Sequence, residues 1–364
     1  MKTQDTRTLR FSEAPTRPRE QYKVYTRRKV LVLLLLFVLV IALALASLCL
    51  GSSSLSLTDA LAALFGQGDA YNMTVVFNLR MPRILTAIIG GIALALAGCA
   101  FQSVLRKPLA SASTLGISQG AAFGAAVAII VLGFGSSAAA YEGVFASNPF
   151  IVVICAFAGS MISALAILAL SRIRNMSAES IVLAGVALSA LFAGATAVVQ
   201  YFAEDTQVAA VVFWTFGDLG RVGYAELPLI ACITLAGFIF FYFNRWKFNA
   251  MESGEDLAHG LGLKVKRTRI ANMVAGSLLA SSIIAFCGTI NFIGLVAPHI
   301  MRRFIGNDYR YLVPASALAG AAILLISDMI ARLVMAPAIL PISAITSFVG
   351  VPIFLYLLLR GTRR

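Results

Sequence analysis

Charge is scarce in this sequence, and acidic charge scarcer still: 12% of its 364 residues are charged, with 16 Asp and Glu against 29 Lys and Arg. A soluble domain carries about 25% charged residues, so a water-facing globular surface is excluded. Histidine occurs twice and cysteine five times, with no C-x-x-C pair and no histidine cluster. That removes the common metal, redox and disulfide frameworks. Cys49, Cys99, Cys155, Cys232 and Cys287 are scattered through apolar runs and read as small hydrophobes. No G-x-x-x-x-G-K-[ST] segment is present, so the chain does not hydrolyse ATP through a phosphate loop of its own. Two distant histidines and scattered thiols supply no enzyme constellation either.

What the sequence has is apolar length. Hydrophobic residues make up 60% of the chain, and the mean hydropathy is +0.89. About ten runs approach the ~20 residues needed to cross a bilayer core: 30–50, 84–105, 115–134, 150–170, 181–202, 227–243, 270–290, 292–305, 311–335 and 342–359. The chain is predicted to be an all-α integral membrane protein. The eighth run is too short for a simple straight span. Hydrophilic residues precede the first run and no A-x-A site follows it, so it reads as a retained helix, not a cleaved leader. Residues 1–29 read as a flexible basic tail with little to bury, 30–360 as one ten-helix domain, and 361–364 as a short terminus. Residues 55–65, in the longest loop, form an amphipathic patch suited to a membrane surface.

With the amino terminus inside and ten crossings, every one of the 29 basic residues except Arg80, Arg83, Arg221 and Arg332 falls on an inner segment, in accord with the positive-inside rule. The basic excess is topological. No basic patch with interleaved aromatics is left over, so no nucleic-acid partner is expected. The four exceptions lie on the outer side or at its membrane edge. Arg80 and Arg83, in the sequence RMPR, either snorkel to the interface or present a rigid guanidinium pair, with Pro82 fixing the first turn of a helix. Arg332 either pairs with Asp328 four residues before it or serves the same outer surface. Outward guanidiniums would suit an acidic protein partner.

A polar island, MESGEDLAHGLGL at 251–263, interrupts the apolar pattern. Ser253 is placed to cap a short helix, with Asp256 three residues on as in a capping box. Glu255 and Asp256 suit the positive end of the helix dipole. Leu257, Ala258 and Leu261 form a small apolar face, and Gly260 and Gly262 offer a stop. Such an island is suited to docking another protein. In the fifth run Ser189, Gly194, Thr196 and Gln200 allow two roles: close helix packing, or the lining of a mildly polar pathway. A short internal match, R-I-x5-G at Arg83–Gly90 and again at Arg269–Gly276, opens the second and seventh runs. In this topology those runs enter from opposite sides, as in a five plus five inverted repeat.

Four blocks then combine: RMPRILTAIIGGIALALAGCAFQSVLRKPLASASTLGISQGA at 80–121, GEDLAHGLGL at 254–263, GTINFIGLVAPHIMRR at 288–303, and Pro314, Gly320, Asp328, Arg332, Pro341, Gly350 and Pro352 near the end. In order and spacing they resemble the FecCD family of ABC transporter permeases. The resemblance implies a type II importer of ferric siderophores first, or of haem or cobalamin. It implies a second permease subunit, identical or homologous, a cytoplasmic ATPase dimer that uses ATP and Mg, and an external substrate-binding protein. This chain would bind no cofactor or metal. It would sit in the lipid of a bacterial or archaeal cytoplasmic membrane, with both termini cytoplasmic.

The same resemblance assigns residues. Ser253, Gly254, Glu255, Asp256, Leu257, Ala258, Leu261 and Gly262 would couple to the ATPase, and Arg80, Arg83 and Arg332 would receive carboxylates of the binding protein. Ser111, Ser113 and Ser118 would lie near the cytoplasmic gate, and Ser189, Gly194, Thr196 and Gln200 along the pathway. His299 would be a structural position of its block, not a haem ligand. Lys107, Ala112, Ile339 and Ser343 depart from the family pattern. The rival is an ion-coupled carrier, for which Asp328 is the one convincing intramembrane carboxylate, with Arg332 a turn away.

Overall fold

A computed structural model describes residues 18–51, 59, 62–63, 66–67, 69–134, 149–173 and 178–361. Helix α1 runs Pro18–Cys49, beginning well before the first apolar run. The expected flexible tail is therefore helical from Pro18 onward, while 1–17 lie outside the described residues. Its basic end does find something to bury: the Lys29 ammonium is enclosed, 3.7 Å from Asp308, and lies over the rings of Tyr25 and Tyr311. Most of the 55–65 patch also lies outside the described residues.

A short helix α2, Ala70–Thr74, passes through a π-helical turn at Val75–Arg80 into α3, Met81–Leu105. Together they form one apolar helix of 36 residues, so the second span starts earlier than its apolar run suggests. Next come α4, Ile117–Ala126, with a π turn at Val127–Val131, then α5, Pro149–Ile173, and α6, Ala178–Tyr201. A short helix α7, Asp205–Thr215, which no apolar run announces, follows. Helix α8, Leu227–Phe243, bends by 55° into α9, Arg245–Glu252. The chain closes with α10, Glu255–Gly260; α11, Val265–Cys287; α12, Ile293–Ile305; α13, Tyr309–Leu333; and α14, Ile342–Gly361.

Among the described residues six helices are long and apolar enough to cross a membrane, or seven if the bent pair counts as one. The apolar parts of α4 and α14 are shorter. Helix α12 has 13 residues with Pro298 inside, which gives it a length of about 20 Å. Each of the ten apolar runs thus contains a helix, and the eighth is indeed short.

Helix α3 is the axis of the bundle, with 78% of its apolar window buried. Helices α11, α12 and α13 pack around it, and glycine permits the closest approaches. A side chain at Gly98 would collide with the Gly294 carbonyl of α12. Gly91 and Gly320 of α13 face each other in the same way, each pointing at the other's carbonyl. Helix α6 is the opposite case, with 17% of its apolar window buried. Gly185 abuts the Thr114 backbone, but around Gly194 there is open space.

Candidate functional site

Many of the residues singled out in the sequence lie at the two ends of the bundle, and those of α6 lie along its length. At one end, α3 begins, α11 and α13 finish, and the arginines collect. Asp328 of α13 is wholly buried and holds two guanidiniums. Arg83 Nε donates to its Oδ1 at 2.7 Å and Arg332 Nε to its Oδ2 at 2.9 Å. Arg83 also reaches Asp218 at 3.2 Å. Arg332 continues to the Ser47 hydroxyl at 2.5 Å and the Leu50 carbonyl at 3.2 Å. Arg80 donates to the carbonyls of Leu48 and Cys49, closing the last turn of α1.

These arginines line a cleft of about 570 Å³ together with Tyr71, Asp218 and Ile339. Arg80 and Arg83 are nevertheless buried, and the bonds they make are within the chain, with Arg83 Nη2 buried and unpartnered. The rigid, protruding pair expected from RMPR is not the geometry. A buried carboxylate draws the guanidiniums inward, because an unpaired Asp328 would be far costlier in this setting. Both ideas about Arg332 meet in one place: it pairs with Asp328 at i,i+4 and it lines the cleft.

Arg221, the fourth arginine at this end, donates to the carbonyls of Phe213 at 2.7 Å and Trp214 at 3.4 Å. It closes the carboxyl end of α7. Burial lowers its pKa, with Asp218 opposing, and it stays protonated in any case. Near it, Ser343 N–H donates to the Phe216 carbonyl at 3.1 Å. That bond fixes the last loop, where Ile339 and Ser343 depart from the family pattern.

At the other end, α9 and α10 form the polar island. Ser253 is not the cap of α10. It continues α9 in right-handed conformation, and its hydroxyl returns to the Asn249 carbonyl at 3.2 Å. The cap is Gly254, at φ +128, and Gly262 leaves the helix at φ +80. Both values favour glycine, and a side-chain carbon added at either would meet open space. Ala258 is buried, whereas Leu257 and Leu261 are 55% and 65% exposed. Glu255 pairs with Arg269 of α11, tying the island to the bundle. Asp256 is exposed.

A polar chain behind the island joins four helices. Tyr309 Oη lies 3.1 Å from a Glu252 oxygen and accepts from Arg302 Nη2 at 2.9 Å. Arg302 Nη1 donates to Gln102 Oε1 at 3.0 Å, and Gln102 Nε2 donates to the Gly294 and Leu295 carbonyls at 3.3 Å. Asn249 accepts from Tyr309 N–H at 2.9 Å. None of these residues was singled out in the sequence, where the partners lie far apart.

Ser111 and Ser113, in the loop between α3 and α4, share a hydrogen bond of 2.9 Å, and Thr114 closes the same turn. Ser189 of α6 donates to the Gly185 carbonyl at 2.9 Å, with the Ser113 carbonyl at 3.5 Å. The structure therefore brings Ser111, Ser113 and Ser189 together. Ser118 is buried on α4 with its hydroxyl unpartnered. Thr196 bonds its own helix at Phe192, 2.8 Å, and Gly194 and Gln200 join neither cluster. Lys107, in the same loop as Ser111, reaches Glu179 at the start of α6 at 2.5 Å. Among the described residues no group of three or more metal-ligating side chains occurs.

The comparisons agree with this architecture. Residues 38–360 match the FecCD transport family. A Methanocaldococcus jannaschii protein named as an ABC transporter permease is 45% identical over 95% of this chain and 99% of its own length. The hemin transport system permease HmuU of Yersinia pestis is 34% identical, covering 86% of this chain and 92% of its own. A solved inward-facing ABC transporter, described as of metal-chelate type, superposes with a TM-score of 0.78 at 27% identity, covering 90% of this chain and 99% of that one. This chain belongs to the FecCD family of ABC transporter permeases and is a multi-pass membrane protein.

Proposed function

We propose that this chain carries ferric-siderophore complexes across the cytoplasmic membrane, taking cargo from an external binding protein and drawing energy from cytoplasmic ATPase subunits through α10. The observation that carries the proposal is the exposed edge of Leu257 and Leu261 on a helix between two positive-φ glycines. Two exposed leucines on a short polar helix are costly to leave in water, and a cleft in a partner relieves that cost. The arginine cleft lies at the opposite end, so a carboxylate of the binding protein has to enter it to meet Arg332, Arg83 and Arg80. Both termini and the α10 end are then cytoplasmic. The open side of α6 would face a second permease subunit, with Ser189, Gly194, Thr196 and Gln200 along the pathway between them. Ser111, Ser113 and Ser118 would lie at its inner gate.

Relatives named for hemin, Fe(3+)-citrate and vitamin B12 transport support a chelate or macrocycle as cargo. Haem or cobalamin is the second choice. The test is uptake into liposomes holding this permease with its ATPase and binding protein, offered ferric siderophore, haem and cobalamin in turn. Uptake of the siderophore that requires internal ATP is the expected result. Uptake that continues without the ATPase, or that a protonophore abolishes while ATP is held constant, would identify an ion-coupled carrier instead.

A further inference from the structure

A second cavity, of about 370 Å³, opens at the α10 end and is lined by Gln102, Arg106, Glu252, His299, Arg302 and Arg303. At the ~30 Å³ share of a liquid water molecule it holds about a dozen waters. The positive-inside rule accounts for arginines at this end of the spans, but not for their convergence on one cavity. Three guanidiniums face a single carboxylate, and that carboxylate is already committed: Glu252 is bonded by Tyr309 at 3.1 Å and Asn307 at 3.3 Å. Among the described residues no salt bridge engages Arg106, Arg302 or Arg303.

Arg302 and the backbone of Arg106 are also held in place. Arg302 is fixed by Gln102 and Tyr309, yet its Nε is buried without a partner, as is Nδ1 of His299. Arg106 sits in left-handed conformation, φ 50, at the end of α3. Glycine is the usual residue there, and an arginine is strained by about 1 kcal/mol. A strained basic residue beside a fixed one, with too few acceptors between them, describes a site preorganised for an anion.

We infer that this cavity binds a phosphate-bearing anion, with the exposed Arg106 and Arg303 as its clamps and Arg302 as its fixed floor. At the end of the spans the phosphate can come from an anionic lipid headgroup or from solution. The inference stands apart from the cargo and the docking partners proposed above.

The experiment uses the full chain in phosphatidylcholine nanodiscs. One arm measures retention of added phosphatidylglycerol by native mass spectrometry, and the other measures binding of inorganic phosphate by calorimetry. The variant is R106Q/R303Q, whose two side chains make no hydrogen bond or ion pair among the described residues, so its unfolding midpoint is expected to match the parent. R303Q alone is the fallback if the double variant does not fold. At least a tenfold loss of phosphatidylglycerol retention identifies the lipid, and the same loss in the phosphate arm identifies the soluble anion. Binding that is equal in parent and variant in both arms, or undetectable in both, overturns the inference.

Discussion

Arg83 and Asp328 stand 245 positions apart in the chain and meet at 2.7 Å, with no surface of the carboxylate exposed. The pair locks the start of α3 to the end of α13, and Arg332 shares the same carboxylate. Asp218, by contrast, is 41% exposed. Asp328→Asn leaves Arg332 without a counter-ion and Arg83 with only the part-exposed Asp218, and is expected to destabilise the protein by about 3–5 kcal/mol. Asp218→Asn is expected to cost under about 1 kcal/mol. Equilibrium unfolding in detergent compares the two, and equal losses would show that Asp328 is not the anchor.

Leu257 and Ala258 are neighbours with opposite surroundings, one exposed and one buried. Leu257→Asp is expected to leave the unfolding midpoint unchanged while uncoupling ATP hydrolysis from uptake. Ala258→Asp, which buries a charge, is expected to unfold the island and lower the midpoint. Normal transport by Leu257→Asp would remove α10 as the coupling element.

Tyr309 is the hinge of the polar chain between Glu252 and Arg302. Tyr309→Phe removes both bonds at once and is expected to cost about 1–3 kcal/mol, because two half-buried charged groups each lose one of their partners. Hydrogen exchange at the ends of α9 and α12 would report the loosening, and unchanged protection there would count against the chain as a structural tie.

Lys107 and Glu179 bridge the loop after α3 to the start of α6 on an exposed surface. A double-mutant cycle on K107E and E179K is expected to give a coupling below about 1 kcal/mol that fades with salt. A coupling that is large and insensitive to salt would show that the bridge is shielded in the working assembly.

The ten apolar segments were legible because bilayer thickness imposes a length that composition alone reveals. The Asp328–Arg332 pair was legible as well, since one helical turn separates its members. Arg83 was not assigned to the same carboxylate, because no local rule connects the second span to the ninth. Gln102 and Arg302 escaped notice for the same reason. Ser253 was misplaced because Ser-x-x-Asp fits a cap whether or not the preceding helix has already claimed the serine, and here α9 has. Helix α7 was missed because it is short and begins among polar residues. Its signal was present all the same: Glu204 N–H donates to the Gln207 side chain at 3.2 Å, a capping-box contact.

Gly91 and Gly320 each face the other's carbonyl oxygen across the seam between α3 and α13. A larger residue at either position would strike main chain, and main chain does not change when a second residue is substituted. No compensating side-chain substitution across the seam can therefore rescue a variant at either glycine. The two positions can drift only if the helices part, which would carry Arg83 away from Asp328. Random mutagenesis followed by selection for uptake should return suppressors for many defects in this protein, and none at this seam.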